Sequence, residues 1–309
     1  MAQTLLDLAV LSGSDQNIEL AKASIIEKPF LAQMPWVATV GDTFTTSSGT
    51  VPSISAGGIN QGYTATNGVF TPKQFKVANY PAMSQVDCRI ADRDARGAGA
   101  YRNDEDALVH EAVLNAFSSD MFYANQNTNS NEFYGLSRYM NAYNGDNIVN
   151  GTGSTTDVQT SIYFVKWGVK GVSGIYSNES GIMPTVQDMG KQLVDAPDGN
   201  GQMWAYVTNF NWNVGLKVNE AGIGRVANIE NSGDITLANL QRVKRFIKNG
   251  ADAIFCTRAG ASYLDALSTN SLQTMVLDSE LKVEVESFAG LPIFVDDSIS
   301  DTEAVISSV

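Results

Sequence analysis

One histidine and two cysteines bound the chemistry open to this chain of 309 residues. With His110 alone, every site built on two imidazoles is excluded, zinc-binding HExxH among them. A Ser-His-Asp triad is formally open, but no GxSxG turn presents a serine. His110 lies in Asp106-Ala-Leu-Val-His-Glu-Ala, inside a helical pattern, where a helix-surface or core-edge place is the plainer reading. Cys88 and Cys256 form neither a CxxC redox pair nor a zinc spacing, and read as small buried hydrophobes of a reducing compartment. Gly222-Ile-Gly-Arg is rich in glycine, yet no Lys-Ser/Thr follows it as a phosphate loop requires. Asp296, Asp297, Asp301 and Glu303 offer calcium-type oxygens without EF-hand spacing or its glycine, so a charged turn is expected there. Asp195-Ala-Pro-Asp-Gly-Asn-Gly is a turn by the same logic. Carboxylates are plentiful, but nothing in the order of residues brings two into a cleft. An enzyme stays open without positive support from the residues, and no cofactor or metal is expected.

The composition points the same way. Lys and Arg number 20 against 33 Asp and Glu, a formal net charge of -13. Hydrophobic residues make up 43% and charged ones only 17%, against about 25% charged in an ordinary globular domain. This excludes the highly charged class of disordered chains. It also argues against a protein that grips nucleic acid, which needs clustered Lys and Arg. Neither an apolar run of membrane-span length nor a basic segment ahead of an apolar one at Met1 is present. Length alone suggests about two domains at ~150 residues each.

The elements follow from local patterns. Short helical signals run from Leu5 and through Asn17 to Ile25, after which Pro29 and Pro35 predict extended backbone around Phe30, Leu31, Met34 and Trp36. From Gly41 to Ser84 the only charged side chains are Asp42, Lys73 and Lys76. Thr43-Phe-Thr-Thr and the run Val69 to Val77 read as strands of a long hairpin around Ser55-Ala-Gly-Gly-Ile-Asn-Gln-Gly-Tyr. Arms of roughly 20 residues would reach as far as ~60 Å if fully extended. An isolated two-stranded ribbon is marginal in water, so it should finish its burial against a neighbour. Asp87 to Arg96 alternates both signs of charge, as a self-paired solvated surface or as an intersubunit salt-bridge zone. Asp104 to Asn125 predicts a long helix capped by Asn103, with Leu108, Ala112, Asn115 and Ser119 on one stripe and Leu114, Phe117, Met121 and Phe122 widening the apolar face.

Residues 126–160 read as loops and a crossing between domains. Strands are expected over Ser161 to Val172, Trp204 to Val207, Trp212 to Val218, Ala251 to Thr257, Val283 to Phe288, Gly290 to Asp297 and Glu303 to Ile306. Helices are expected over Thr236 to Asn249 and Ala259 to Leu267. Arg242, Lys244, Arg245 and Lys248 suit the negative end of the first of these dipoles better than a phosphate patch. The class is α+β.

The order of parts, together with Thr160-Ser-Ile-Tyr-Phe-Val-Lys-Trp-Gly, Trp212-Asn-Val-Gly-Leu-Lys-Val, Gly224-Arg-Val-Ala-Asn-Ile and Gly290-Leu-Pro-Ile-Phe-Val-Asp-Asp-Ser-Ile, resembles the major capsid proteins of tailed bacteriophages, podovirus-type, with the Hong Kong 97-like fold. The resemblance implies an N-terminal arm (1–37), an extended β-hairpin loop (38–84), a peripheral domain with a spine helix (85–145), an axial domain (146–295, part of it returning to the peripheral domain) and a C-terminal peripheral strand (296–309). It implies intersubunit contacts for the arm and loop, with Phe30, Trp36, Phe44, Phe70, Lys73, Phe75, Lys76, Arg89, Arg93 and Arg96 as candidates. Some relatives crosslink a loop lysine to an asparagine; Lys73 and Lys76 stand in that loop, but no partner asparagine is identifiable. The implied partners are copies of itself in pentamers and hexamers, a separate scaffolding protein, a portal protein, decoration proteins, and double-stranded DNA enclosed without specific binding; no membrane. The arm begins near Met1, so no cleaved scaffolding segment is expected. The implied location is the virion, after assembly in the host bacterial cytoplasm. The alternatives are an encapsulin-like nanocompartment shell and, from another class, a β-rich carbohydrate-binding or adhesin protein suggested by its Asn, Gly, Tyr and Trp.

Overall fold

The computed structural model describes residues 28–60, 62, 65–178, 181–197, 199–248, 250–267, 272–278 and 283–308. The helical signals upstream of Ile25 lie outside the described residues. The chain then runs through α1 (Pro29–Gln33), β1 (Trp36–Thr39), β2 (Thr43–Thr50), β3 (Val69–Lys76), β4 (Ala78–Asp87), α2 (Cys88–Ala91) and α3 (Ala98–Tyr123). Next come α4 (Leu136–Tyr139), β5 (Ala142–Tyr143), β6 (Ile148–Asn150), β7 (Thr160–Val165), β8 (Val172–Ser177), β9 (Thr185–Asp195), β10 (Gln202–Val218) and β11 (Ile223–Ile229). The last part holds α5 (Leu237–Phe246), β12 (Ala253–Cys256), α6 (Arg258–Leu267), β13 (Leu272–Asp278), β14 (Val283–Phe288), β15 (Leu291–Val295) and β16 (Ser307–Ser308).

Two sheets organise the molecule. In the first, β1, β8, β10 and β4 lie side by side, and β9 joins the early part of β10. β10 is 17 residues long, about 56 Å at 3.3 Å per residue. It pairs with β9 over Gln202 to Asn211 and with β8 from Val214 onward, while β4 flanks it on the other edge. The second sheet has the order β13-β14-β15-β12-β7-β11-β6. Its central strands, Thr160–Val165, Ala253–Cys256 and Ile223–Ile229, are buried at every residue, which is why none of them alternates apolar with exposed polar positions.

The core divides along that second sheet. Tyr163, Val165, Phe255 and Phe294 face the first sheet and α3, whereas Ile162, Phe164, Ile254 and Ile293 face α5 and α6. The period of two along β7 thus serves two cores at once. In the larger core, the Phe117 ring of α3 sits 4.8 Å from Trp212, 5.7 Å from Tyr80 and 6.0 Å from Trp36. Trp36 is paired in register with Gly174, and a Cβ there would meet its ring at 2.6 Å, so only glycine leaves room.

Several expectations are corrected. Pro29 does not hold the chain extended; it occupies the first turn of α1, where its missing N–H is no loss. The spine helix begins at Ala98 rather than Asp104, so Asn103 lies inside it and Gly97 at its N-cap. Its buried face is Val113, Phe117, Ser118, Met121 and Phe122, and Leu108 is 63% exposed, whereas Asp106 and His110 of the same half face β10 at Thr208 and Phe210. The strand material from Ser161 to Val172 breaks at a turn around Gly168, φ +92°, into β7 and β8. Trp204 to Val218 is one continuous strand, and β9 is an additional one. Glu303 makes only an isolated bridge with Gln159, and regular pairing resumes at Ser307.

Candidate assembly surfaces

The ribbon of β2 and β3 forms a two-stranded sheet of its own, with most of its residues exposed. Thr43 pairs with Lys76 and Thr50 with Val69, so eight residues per strand give about 26 Å of paired length. This is shorter than fully extended arms, because 51–58 take no regular structure. Thr, Val and Phe supply the β-propensity, with no helix-forming run to compete. Outward from Thr45 nearly every residue is exposed: Phe70 by 75% and, at the end, Ile59 by 99%. The Phe70 ring lies across Gly49 of the opposite strand, where a Cβ would come within 3.0 Å of it.

The ribbon's foot is anchored firmly. Phe75 is buried, Phe44 packs half-buried on the larger core, and Val77 N–H donates to the Asp42 carbonyl at 2.8 Å. Lys73 pairs with Glu220 at 3.2 Å and Lys76 Nζ donates to the Ser130 carbonyl. Phe30 and Trp36 are likewise held inside the chain's own core, Phe30 against Phe122, Trp167 and Phe255. Phe70 and the outer ribbon therefore carry the exposed apolar surface among the candidate contacts.

The charged segment is paired locally. Arg89 holds Asp87 at 3.2 Å, and Arg96 bridges Asp94 at 3.2 Å and Asp104 at 2.8 Å. Hydrogen bonds from the Arg89 amide and guanidinium hold the Asp87 carboxyl below its usual range, and Arg93 is exposed. A neighbouring cluster went unread in the sequence: the Tyr206 ring lies between the Arg102 guanidinium, 4.6 Å away, and Lys191 Nζ, 4.9 Å away. Arg102 also reaches Asp188 at 2.6 Å and Lys191 reaches Asp92 at 3.6 Å. Trp204 and Leu193, paired across β10 and β9, form an exposed apolar pair beyond it.

The acidic C-terminal residues scatter to separate partners. Asp296 is buried and accepts from Phe30 N–H at 3.2 Å and Ser298 N–H at 2.9 Å. Burial pushes its carboxyl up despite those bonds. Asp297 takes Arg258 in a two-pronged contact at 3.0 and 2.8 Å. Glu303, buried, meets Arg225 at 2.9 Å, and Arg225 also donates to Ser161 Oγ at 3.0 Å and to the Met140 carbonyl at 2.6 Å. Tyr123 donates to Glu303 at 2.6 Å. This clasp fastens the C-terminal segment across both α3 and the second sheet. His110 is half-buried near Phe210, and burial lowers its pKa. Burial pushes the Cys256 thiol up to about 12, which leaves it unreactive.

A chain with an anchored ribbon, a long helix over one sheet and a second sheet beside it has counterparts among solved structures. A chain of bacteriophage Epsilon15 is similar over 89% of this chain and 88% of its own, with TM-score 0.59 and 21% identity. The bacteriophage JBD30 capsid scores 0.47 at 10% identity, over 88% of this chain and 87% of that one. An encapsulin of Synechococcus elongatus scores 0.45 at 12% identity, over 67% of this chain and 89% of that one. No curated protein matches the sequence. The α+β fold is the Hong Kong 97-like one. The model of the family described as major capsid protein GP7 matches residues 20–307. A match that leaves out only the chain's two ends, on the fold that phage shells use, makes this protein a member of the major capsid protein GP7 family and a component of a phage head shell.

Proposed function

We propose that copies of this chain close into an icosahedral shell of pentamers and hexamers around packaged double-stranded DNA. The exposed ribbon on a rigid foot carries this reading. Its outer strands and end present apolar side chains that the chain's own core does not cover, which is what a clasp on a neighbouring copy requires. Phe44 and Phe75 then fix the angle at which it leaves the body. The net charge of -13 suits a container that does not grip its DNA.

In this reading α3 and the first sheet form the peripheral domain, and the second sheet forms the axial domain that meets its copies around the symmetry axes. The axial part then comprises 146–171 and 219–295, with 172–218 returned to the peripheral part. A separate scaffolding protein, a portal and decoration proteins are the partners expected of such a shell, assembled in the bacterial cytoplasm. No step of this role calls for catalysis.

Replacing residues 47–72 by an Asn-Gly turn tests the clasp. The shortened chain should keep its circular dichroism and melt cooperatively, yet yield no fast-sedimenting particles under conditions where the full chain does. Particles of normal size from the shortened chain would refute the clasp.

A further inference from the structure

A cleft of about 150 Å³ opens at the foot of the ribbon. Thr46, Ser48 and Lys73 line it from the ribbon, and Val169, Lys217 and Asn219 from the body. Lys217 lies near the end of β10 and is only 5% exposed. Its Nζ donates to the Val169 carbonyl at 3.1 Å and stands 5.8 Å from the centre of the Phe44 ring. Among the described residues no carboxylate lies within ion-pair distance of it. Lys73, at the other side, shares its charge with Glu220. Two lysines against one glutamate leave the cleft with one net positive charge, carried by the group that is most buried.

Buried ammonium groups are normally paired, because desolvation disfavours a lone charge. Lys217 shows that strain: burial lowers its pKa from the ordinary lysine value. The remaining polar side chains of the lining are the hydroxyls of Thr46, Ser47 and Ser48 and the Asn219 amide, all able to donate to an anion. A cleft of about 150 Å³ has room for a small ion. We infer that the cleft is a binding site for a small tetrahedral oxyanion, phosphate or sulfate, held by Lys217 and the ribbon-foot hydroxyls. A bound ion would tie the ribbon to β10 and hold its exit angle. The inference stands on this cleft alone and does not depend on the shell reading.

Thermal unfolding of the full chain in rising phosphate, against chloride at matched ionic strength, tests it. The parent chain should gain stability along a saturating curve. Lys217→Met, which removes the charge and keeps the stem's packing, should lose the phosphate-specific part. Lys73→Gln should shift the curve to higher phosphate, and it keeps the test alive if Lys217→Met fails to fold. Amide exchange over 43–50 and 69–76 should slow with phosphate in the parent. Phosphate and chloride acting alike on the parent, an equal phosphate response in Lys217→Met or, should that variant not fold, an unchanged curve in Lys73→Gln would overturn the site.

Discussion

At the residue scale, the side chains that matter most are held by partners far away in sequence. Arg225 and Glu303 lie 78 positions apart, and no spacing rule joins them; in the sequence Glu303 reads as the end of an acidic turn or the start of a strand, not as an ion-pair partner. Breaking a buried pair leaves one charge uncompensated. Arg225→Met or Glu303→Gln should therefore lower subunit stability by about 3–5 kcal/mol in denaturant titrations. A loss within the scatter of surface substitutions would show the pair to be dispensable. Phe117→Ala should cost about 3–5 kcal/mol as well, since it empties the contact among Trp36, Tyr80 and Trp212.

His110 supplies a pH dependence. Its folded pKa is lowered by burial, so the unfolded chain holds more protons in the range just below its ordinary value near 6.5. Stability therefore rises as pH climbs through the folded pKa to about 6.5 and is lost as pH falls. His110→Gln should flatten that slope in melts taken across the range, and an unchanged slope would assign it to other groups. The sequence places His110 on a helix, at its surface or the core's edge, because a helical pattern shows in a few residues, whereas the burial that shifts it arises from packing between elements, with Phe210 of β10 beside it.

At the element scale, legibility followed how much a segment's own pattern reveals. Thr160–Val165 and Ala253–Cys256 show in the sequence as apolar runs, and the ribbon as a charge-poor stretch with hairpin glycines; the central strand Ile223–Ile229 does not show, because Gly224, Arg225 and Asn228 interrupt it. Neither does β9, since Thr185–Asp195 is exposed on both faces and shows no alternation. β10 looked like two strands because Asn209, Asn211 and Asn213 punctuate its outward face. Pro29 misled because a proline that forbids a helix interior is favoured at its first turn. The ribbon makes its own prediction. Phe70 touches little beyond Gly49, so Phe70→Ser should change subunit melting by less than about 0.5 kcal/mol while cutting the yield of assembled particles. Equal yields would show that Phe70 meets no neighbour.

At the scale of the whole molecule, two sheets share one core wall, with one clasp at the C-terminus and one ribbon leaving the body. That design buries Phe30, Trp36 and Phe75 in the subunit's own core and leaves Phe70 exposed, available for the clasp proposed above. The family could be recognised from the order of parts, but which aromatics face inward could not, because burial depends on contacts between distant segments. A charge of -13 on each copy also makes subunits repel, so closing a shell should need moderate salt or a scaffold to offset it. Cryo-electron microscopy of the chain expressed with its scaffolding protein is the most direct test. Closed icosahedral shells with the ribbon lying on an adjacent copy are the predicted result; discrete monomers or small oligomers at every salt and scaffold level would contradict the account.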